Sequence, residues 1–186
     1  MGKVHAICFD VFGTLIVRER GRISPYMRLA RGTERLPFMT RNVGVEDFAE
    51  ELGLSHLVPV MQHELGEELQ SLRLYSEVDQ VIRQLRARGK RIAVCSNLAQ
   101  AYGPAVRDLL PGLDGYSLSY EVGAAKPDPA IYQHACEMLG SRPRDVLFVG
   151  DSRRCEFEGP QDFGMQARLV DRSAGDTLIE VLAGVI

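Results

Sequence analysis

Short, almost unbroken apolar runs recur along the chain, and amphipathic stretches separate them. Three of these runs, residues 4–9, 91–95 and 145–149, are each followed at once by small or polar residues. Two weaker runs cover residues 115–119 and 166–170. Continuous rather than alternating apolarity is typical of strands that are covered on both faces. The pattern therefore predicts a buried parallel sheet.

Helical periodicity appears between these runs. Residues 77–88 place Val78, Val81, Ile82 and Leu85 on one face, and a glycine follows as a stop signal. Residues 129–139 show the same spacing and also end at a glycine. Because strands alternate with helices, we predict an α/β fold: a Rossmann-like parallel sheet flanked by helices, with right-handed crossovers.

Residues 16–74 break this alternation, since they contain helical patterns and no convincing strand. Residues 45–52 have helical spacing, and Ser55 is a plausible N-cap for a longer helix that extends to about residue 69. Residues 32–42 are polar and irregular. We predict a small all-helical cap over residues 16–74 and a catalytic core of residues 1–15 and 75–186. The alternative is a helical layer packed on the core.

Composition narrows the class of protein. Hydrophobic residues make up 45% and charged residues 25% of the chain, which is ordinary for a globular protein. The net charge of −3 without a basic stripe argues against a nucleic-acid partner. No apolar segment approaches the roughly 20 residues that span a bilayer, so no membrane partner is expected. The sequence does not indicate an oligomeric state.

The four cysteines and the first apolar stretch are used to predict the cellular compartment of the protein. No two cysteines form a CxxC pair, and two of them lie inside apolar runs, where a thiol packs as a small hydrophobe. Asp10 interrupts the first apolar stretch after a few residues, so the pattern of a signal peptide is not seen. A reduced cytoplasmic protein is the simplest expectation.

A carboxylate ends the first predicted strand. Asp10 follows the apolar run and is itself followed by Phe12, Gly13 and Thr14. Open α/β sheets bind their ligands at the carboxyl ends of the strands, so Asp10 is a candidate catalytic residue and the Thr14 hydroxyl a candidate substrate-binding group. An ordinary turn would also explain an aspartate followed by glycine and threonine.

Polar groups follow the next two segments of the core. Ser96 and Asn97 end the second strand, where a hydroxyl and an amide can bind an anionic oxygen or simply cap a helix. Lys126 precedes Asp128, which is well placed as a helix cap with Pro129 at the first helical position. This arrangement holds the lysine at the mouth of a loop, as an anion-binding cation or as a solvated surface residue.

A second strand-end carboxylate completes the set. Asp151 follows the run 145–149 and its terminal Gly150. Two carboxylates, a backbone carbonyl and water are oxygen ligands that suit Mg²⁺. An aspartate, a serine, a lysine and a second aspartate thus occur in order, each at a predicted strand end or in the loop beyond it.

This ordered set resembles the haloacid dehalogenase-like superfamily over essentially the whole chain. The segment from Asp10 to Thr14 is similar to its first motif, Ser96 to its second and Lys126 to its third. Gly150, Asp151, Ser152 and Glu156 look like the fourth motif. The position of the helical cap after the first motif agrees with the resemblance.

The resemblance implies roles for these residues. Asp10 is expected to be the nucleophile, with Ser96 and Lys126 holding the substrate's anionic group and the Asp10 carboxylate. Asp10, Asp151 and the backbone carbonyl of Phe12 are expected to hold Mg²⁺. The implied activity is that of a Mg²⁺-dependent phosphatase acting on a small phosphorylated metabolite, an anionic small molecule.

One departure keeps other functions open. Phosphatases of the family usually have a second aspartate where this chain has Phe12, and a lost general acid–base typically lowers the rate by about 10²–10⁴-fold. Phe12 resembles instead the 2-haloacid dehalogenases, in which a halide leaves without a proton. Arg35 or Arg41 would then bind the halide or the substrate carboxylate, and Glu156 is a candidate base or an ordinary helix-surface residue.

Asp151 favours the metal-dependent branch, because dehalogenases of this type have a neutral residue there. Without a cation, Asp151 would be a second carboxylate near Asp10, which would discourage the ionised nucleophile. Three functions therefore stay open: a Mg²⁺-dependent phosphatase, a metal-independent haloacid dehalogenase, and a non-catalytic member of the fold that binds without turnover.

Overall fold

The computed structural model describes residues 4–17, 24–30 and 34–186. Its centre is a five-stranded parallel sheet in the order β3-β2-β1-β4-β5. The strands are β1 (Ala6–Phe9), β2 (Arg91–Ser96), β3 (Gly115–Leu118), β4 (Val146–Gly150) and β5 (Gln166–Leu169). All five predicted strands are therefore present, and each observed boundary lies within two residues of the predicted one.

The helices lie between and after the strands. Those in the described residues are α1 (Pro25–Leu29), α2 (Pro37–Thr40), α3 (Val45–Glu51), α4 (Val58–Ser71), α5 (Val78–Ala87), α6 (Gly103–Leu109), α7 (Ser119–Val122), α8 (Pro129–Met138), α9 (Gly159–Asp162) and α10 (Leu178–Val181). A π-helical turn, Arg153–Glu158, follows β4. No helix in the described residues is long and apolar enough to cross a membrane.

Both faces of the sheet are covered, as the continuous apolarity of its strands requires. Successive side chains of β1 point to opposite faces, and all four are fully buried. Ile7 and Phe9 pack in a cluster with α5, α6 and α10, whereas Ala6 and Cys8 pack in a second cluster with α8. The predicted Rossmann-like α/β fold is confirmed.

Helices α1–α4 form an insert between β1 and α5, here called the helical insert. Its buried side chains, including Tyr26 and Phe48, belong to the same hydrophobic cluster as Ile7 and Phe9 of the sheet. Phe48 contacts the rings of Tyr26 and Phe38. The insert therefore shares an apolar core with one face of the sheet.

Two details of the insert differ from the prediction. Ser55 does not cap the long helix, because residues Ser55–Leu57 form a 3₁₀ turn and α4 begins at Val58. Pro59 accounts for this start, since proline lacks an N–H and its fixed φ suits the first helical turn. The irregular stretch 32–42 contains α2, and its residues 32 and 33 lie outside the described residues.

Candidate active site

Three candidate residues meet at the carboxyl edge of the sheet. Asp10 directly follows β1, Ser96 is the last residue of β2, and Asp151 directly follows β4. Because β1 lies between β2 and β4, the topology brings the three residues to one edge. This is the edge at which open parallel sheets bind their ligands.

Lys126 joins this group through two buried ion pairs. Its Nζ lies 2.6 Å from Oδ1 of Asp10 and 2.8 Å from Oε1 of Glu156. The same ammonium donates a hydrogen bond of 2.9 Å to the backbone carbonyl of Cys95. Lys126 and Glu156 are each only 4% exposed, so neither is the surface residue that the sequence alone also allowed.

The buried charges act on one another. Burial lowers the pKa of Lys126, but the carboxylates of Asp10 and Glu156 outweigh that effect and hold this pKa well above its usual range. Lys126 is therefore a fixed cation at the site. Burial raises the pKa of Glu156, and the Lys126 ammonium offsets only part of that rise.

The loop that carries Lys126 is held by Asn97. The Asn97 Nδ2 donates a 2.9 Å hydrogen bond to the Lys126 carbonyl, and its Oδ1 accepts a 2.7 Å hydrogen bond from the Lys126 backbone N–H. Ser96 Oγ donates a longer, 3.4 Å hydrogen bond to Asp10 Oδ1. Neither Ser96 nor Asn97 caps a helix, because Ala99 is the N-cap of the following 3₁₀ turn, Gln100–Tyr102, and α6 begins at Gly103.

Two glycines allow the acidic side chains to approach the backbone. Gly13 has φ +85°, and a Cβ there would lie 2.2 Å from Oδ2 of Asp151. A Cβ at Gly150 would lie 2.2 Å from Cγ of Glu156 and 3.1 Å from Cβ of Asp10. The structure therefore brings Asp10, Asp151 and Glu156 against the glycines of the first and fourth motifs.

A cavity of about 1260 Å³ opens from this edge toward the helical insert. Phe12, Gly13, Asn97 and Asp151 line it from the core. The insert contributes Ser24, Tyr26, Met27, Ala30, Arg35, Phe38, Met39, Glu68, Ser71 and Leu72. A small molecule that contacts the strand ends would thus be surrounded by residues of both parts.

Phe12 forms part of this wall through an aromatic contact. Its ring meets that of Tyr102 edge to face, with 5.7 Å between the ring centroids. Phe12 has no group that could transfer a proton, and the wall next to it consists of aromatic carbon and the Tyr102 hydroxyl. The cavity residues Tyr26, Glu68 and Tyr102 were not found from the sequence, where no motif or spacing marks them.

Thr14 differs from the expectation of a substrate-binding hydroxyl. The residue is fully buried, its hydroxyl has no hydrogen-bond partner among the described residues, and it does not line the cavity. Its backbone carbonyl instead accepts a 2.5 Å hydrogen bond from Arg172. Arg172 also pairs with Glu77 at 2.5 Å and stacks on the Tyr75 ring, so it fixes the turn that follows Asp10.

The two candidate arginines of the insert lie in different places. Arg41 forms a two-point ion pair with Glu51, with distances of 2.5 and 2.7 Å, at an exposed site away from the cavity. Arg35 lines the cavity. Of the two, Arg35 is therefore the one that can meet an anionic group of a bound molecule.

The donor set at the strand ends has the chemistry of a Mg²⁺ site. Asp10 and Asp151 supply carboxylate oxygens, and Phe12 supplies a backbone carbonyl between them in sequence. Mg²⁺ is commonly held by one or two carboxylates while it keeps several waters. Within residues 4–17, 24–30 and 34–186 no cluster of three or more His, Cys, Asp or Glu side chains that could hold a metal is present.

Two curated relatives share part of the sequence. The chain is 39% identical over 83 residues to a phosphoglycolate phosphatase of Nitrosospira multiformis, covering 43% of this chain and 37% of the relative. It is 30% identical over 106 residues to an (S)-2-haloacid dehalogenase 4A of Burkholderia cepacia, covering 54% and 45% of the two chains. The matches thus span less than half the length of these relatives.

A solved structure has the same fold. It is a HAD family enzyme of Bacteroides thetaiotaomicron, in complex with magnesium and inorganic phosphate. The TM-score is 0.73 at 18% identity, and the alignment covers 95% of this chain and 98% of the other. A family profile described as haloacid dehalogenase-like hydrolase matches residues 4–164. The chain therefore belongs to the haloacid dehalogenase-like hydrolases.

Proposed function

We propose that this hydrolase is a Mg²⁺-dependent phosphatase of a small phosphorylated metabolite. The observation that carries the proposal is the placement of Asp151 against Gly13, at the sheet edge where Asp10 also lies. Two carboxylates so placed repel an anionic substrate and each other. A divalent cation would remove both difficulties, and it would supply electrostatic stabilisation of the transferring phosphoryl group.

Each residue of the site would have a separate role in phosphoryl transfer. A carboxylate oxygen of Asp10 would attack phosphorus and form an acyl phosphate as the bond from phosphorus to the alcohol oxygen breaks, and the leaving oxygen would take its proton from water. A second water would then hydrolyse the acyl phosphate, releasing inorganic phosphate and restoring the Asp10 carboxylate. Lys126, whose ammonium already contacts Asp10, offsets negative charge on the transferring group. Ser96 has a hydroxyl at the same edge, and Asn97 has one amide hydrogen beyond that used to hold the Lys126 loop.

The helical insert would act as the cap of this site. It lines the cavity with apolar side chains, such as Met27, Phe38 and Leu72, that would exclude water around a bound substrate. A cap of about 60 residues beside this cavity suits a small molecule. We propose residues 16–74 as this cap and residues 1–15 and 75–186 as the core.

The comparisons support this choice without deciding the substrate. One partial relative is named a phosphoglycolate phosphatase, and the solved structure with the same fold carries magnesium and inorganic phosphate. These names describe those proteins. They make phosphomonoesters the first class of substrate to test on this chain.

Phe12 favours a second candidate, a haloacid dehalogenase. The side chain packs edge to face on Tyr102 and places no acid near the leaving group. A halide needs no proton to leave, whereas an alkoxide does. The partial relative named as a dehalogenase makes this alternative worth a direct test.

A paired assay separates the candidates. Purified protein is incubated with Mg²⁺ or with EDTA, and release of phosphate from a panel of small phosphomonoesters or of chloride from 2-chloropropionate is measured. We expect phosphate release that requires Mg²⁺. Chloride release that survives EDTA would identify a dehalogenase instead, and no turnover in either assay with Mg²⁺ still bound would indicate a non-catalytic member.

A further inference from the structure

A polar cluster occupies the cavity wall beyond Phe12, and it joins the helical insert to the core. The Tyr102 hydroxyl donates a 2.8 Å hydrogen bond to Oε2 of Glu68. The Ser24 Oγ lies 2.6 Å from the same hydroxyl. Since the Tyr102 proton is directed at Glu68, the Ser24 hydroxyl donates to the Tyr102 oxygen. All three residues line the cavity, so the cluster faces the space that a substrate would occupy.

The Glu68 carboxylate has no cationic partner among the described residues. Another glutamate of α4 does have one, since Glu64 pairs with Arg28 at 2.8 Å. Glu68 accepts a single hydrogen bond from a neutral hydroxyl through one of its two carboxylate oxygens. Glu68 therefore presents to the cavity a carboxylate that forms no ion pair within the described residues.

Tyr26 adds a second phenol to the same wall. Its side chain is 3% exposed and lines the cavity, and its hydroxyl oxygen lies beside the Ala101 backbone N–H. Its ring lies 6.2 Å from that of Tyr102. The Tyr26 hydroxyl is therefore a further hydrogen-bonding group at the wall of the cavity that Glu68 also lines.

The chemistry of this cluster selects a cation that donates hydrogen bonds. A carboxylate accepts hydrogen bonds from an ammonium group and balances its charge, and aromatic rings attract cations to their faces. Glu68 supplies the charge, whereas Tyr26 and Tyr102 supply aromatic rings and phenol oxygens. An anion or an apolar group would leave these groups unsatisfied.

The cluster lies within reach of a substrate bound at the nucleophile. Phe12 is two residues after Asp10, so their Cα atoms are at most about 7 Å apart. The Phe12 ring in turn lies 5.7 Å from the Tyr102 ring. Asp151 at the strand ends, Phe12 and Glu68 all line the same cavity, so the alcohol part of a phosphate ester bound at the strand ends would share that cavity with the Glu68 carboxylate.

We propose that Glu68, with Tyr102 and Tyr26, binds an ammonium group on the alcohol part of the substrate, so that the enzyme prefers amino-alcohol phosphates. This inference rests on the proposed phosphatase function, and it names the substrate class for that same site. The apolar residues that surround the cluster strengthen the preference, because charge pairing is stronger where water is excluded.

The test compares ω-aminoalkyl phosphates of two to five carbons with n-alkyl phosphates of matching length. We expect kcat/KM to be about 10- to 100-fold higher for the amino member of the best pair, as a charged hydrogen bond implies. Glu68→Gln should bring this ratio close to one, because the amide keeps the size of the side chain but not its charge. Equal rates for both series in the unmodified enzyme would overturn the proposal.

Glu67→Gln is the matched control. It makes the same change one position along α4, at a side chain that is 53% exposed, and should leave the amino-to-alkyl ratio unchanged. Tyr102→Phe removes the hydroxyl and keeps the ring, so the ratio should fall less than in Glu68→Gln. A ratio that falls equally in Glu67→Gln and Glu68→Gln would mean that overall charge rather than this cluster sets the preference, and would refute the assignment.

A binding measurement separates failure of this proposal from failure of the proposed function. If no phosphomonoester is hydrolysed, the phosphatase function fails, and thermal unfolding with 4-aminobutyl phosphate or n-butyl phosphate still tests the cluster. A larger rise in Tm with the amino compound that is lost in Glu68→Gln would support the ammonium site. An equal rise with both compounds would overturn it.

Discussion

The Lys126 ammonium is shared between two buried carboxylates: it lies 2.6 Å from Asp10 and 2.8 Å from Glu156. Asp10 and Lys126 are 116 residues apart in the sequence, so this contact holds the loop before α8 against the end of β1. The lysine thereby orients the candidate nucleophile and prevents two adjacent carboxylates from facing each other unbalanced. Stability and chemistry at this site depend on one cation.

Lys126→Met should therefore destabilise the protein strongly. Methionine fills a similar volume but leaves Asp10 and Glu156 buried without a counter-charge, and breaking a buried pair typically costs about 3–5 kcal/mol. Urea unfolding at pH 7 measures the loss. The double variant Lys126→Met/Glu156→Gln should recover part of it, because one of the two uncompensated charges is gone. A double variant less stable than the single one would contradict the shared-cation interpretation.

Asp10→Asn should abolish hydrolysis while the fold is kept. The amide is similar in size but is a poor nucleophile, so we expect turnover to fall about 10³-fold or more. Hydrolysis rates on the best phosphomonoester measure the loss, and circular dichroism verifies the fold. Full turnover in Asp10→Asn would show that another residue attacks the substrate.

Asp151→Asn should weaken Mg²⁺ binding. A neutral amide replaces one of the two proposed carboxylate ligands, and we expect the Kd from isothermal titration to rise at least about tenfold. Asp162→Asn, an exposed change on α9, is the matched control and should leave the Kd unchanged. Equal affinities in the unmodified protein and Asp151→Asn would remove Asp151 from the metal site.

Phe12→Asp should raise the rate of phosphate release. The change supplies a proton donor beside the leaving group, and general acid–base catalysis contributes typically about 10²–10⁴-fold, which sets the upper limit of the gain. Phe12→Asn has nearly the same shape without the acid and should give no comparable gain in kcat. If both variants behave alike, the absence of an acid at this position does not limit the reaction.

Glu77 gives a prediction for the pH dependence of stability. Burial alone would raise its pKa, but hydrogen bonds from Arg172 and from the backbone outweigh burial and hold this pKa below its usual range. A carboxyl with a lowered folded-state pKa stabilises the protein above its unfolded pKa of about 4.3, and this contribution is lost as the pH falls through the folded value.

Glu77→Gln should therefore lower the free energy of unfolding at pH 7 by about 1–3 kcal/mol, the range for a hydrogen bond to a charged group. The difference from the unmodified protein should shrink as the pH is lowered from 5 to 3. Urea unfolding at pH 7, 5 and 3 provides the comparison. A difference that is independent of pH would mean that charge pairing with Arg172 does not contribute.

The sequence determined the framework of the protein, because the strands of a doubly covered parallel sheet must be apolar on both faces. Residues 91–95 and 145–149 were recognisable as strands for that reason, and Asp10 and Asp151 were recognisable because polar residues follow those runs at once. The first turn of α8 was also predicted from the sequence. Asp128 caps it by accepting a 2.9 Å hydrogen bond from the Ala130 backbone N–H, with Pro129 at the first helical position.

The tertiary structure alone decided which polar residues are buried together. Lys126 and Glu156 each had an ordinary surface alternative in the sequence, and only the packing of their loops against β1 makes them partners of Asp10. No sequence pattern marked Glu68 and Tyr102, since a hydrogen bond between a helix of the insert and a 3₁₀ turn of the core joins residues with no fixed spacing in the sequence. Contacts between distant segments depend on the folded path of the chain, which local hydrophobic patterns do not specify.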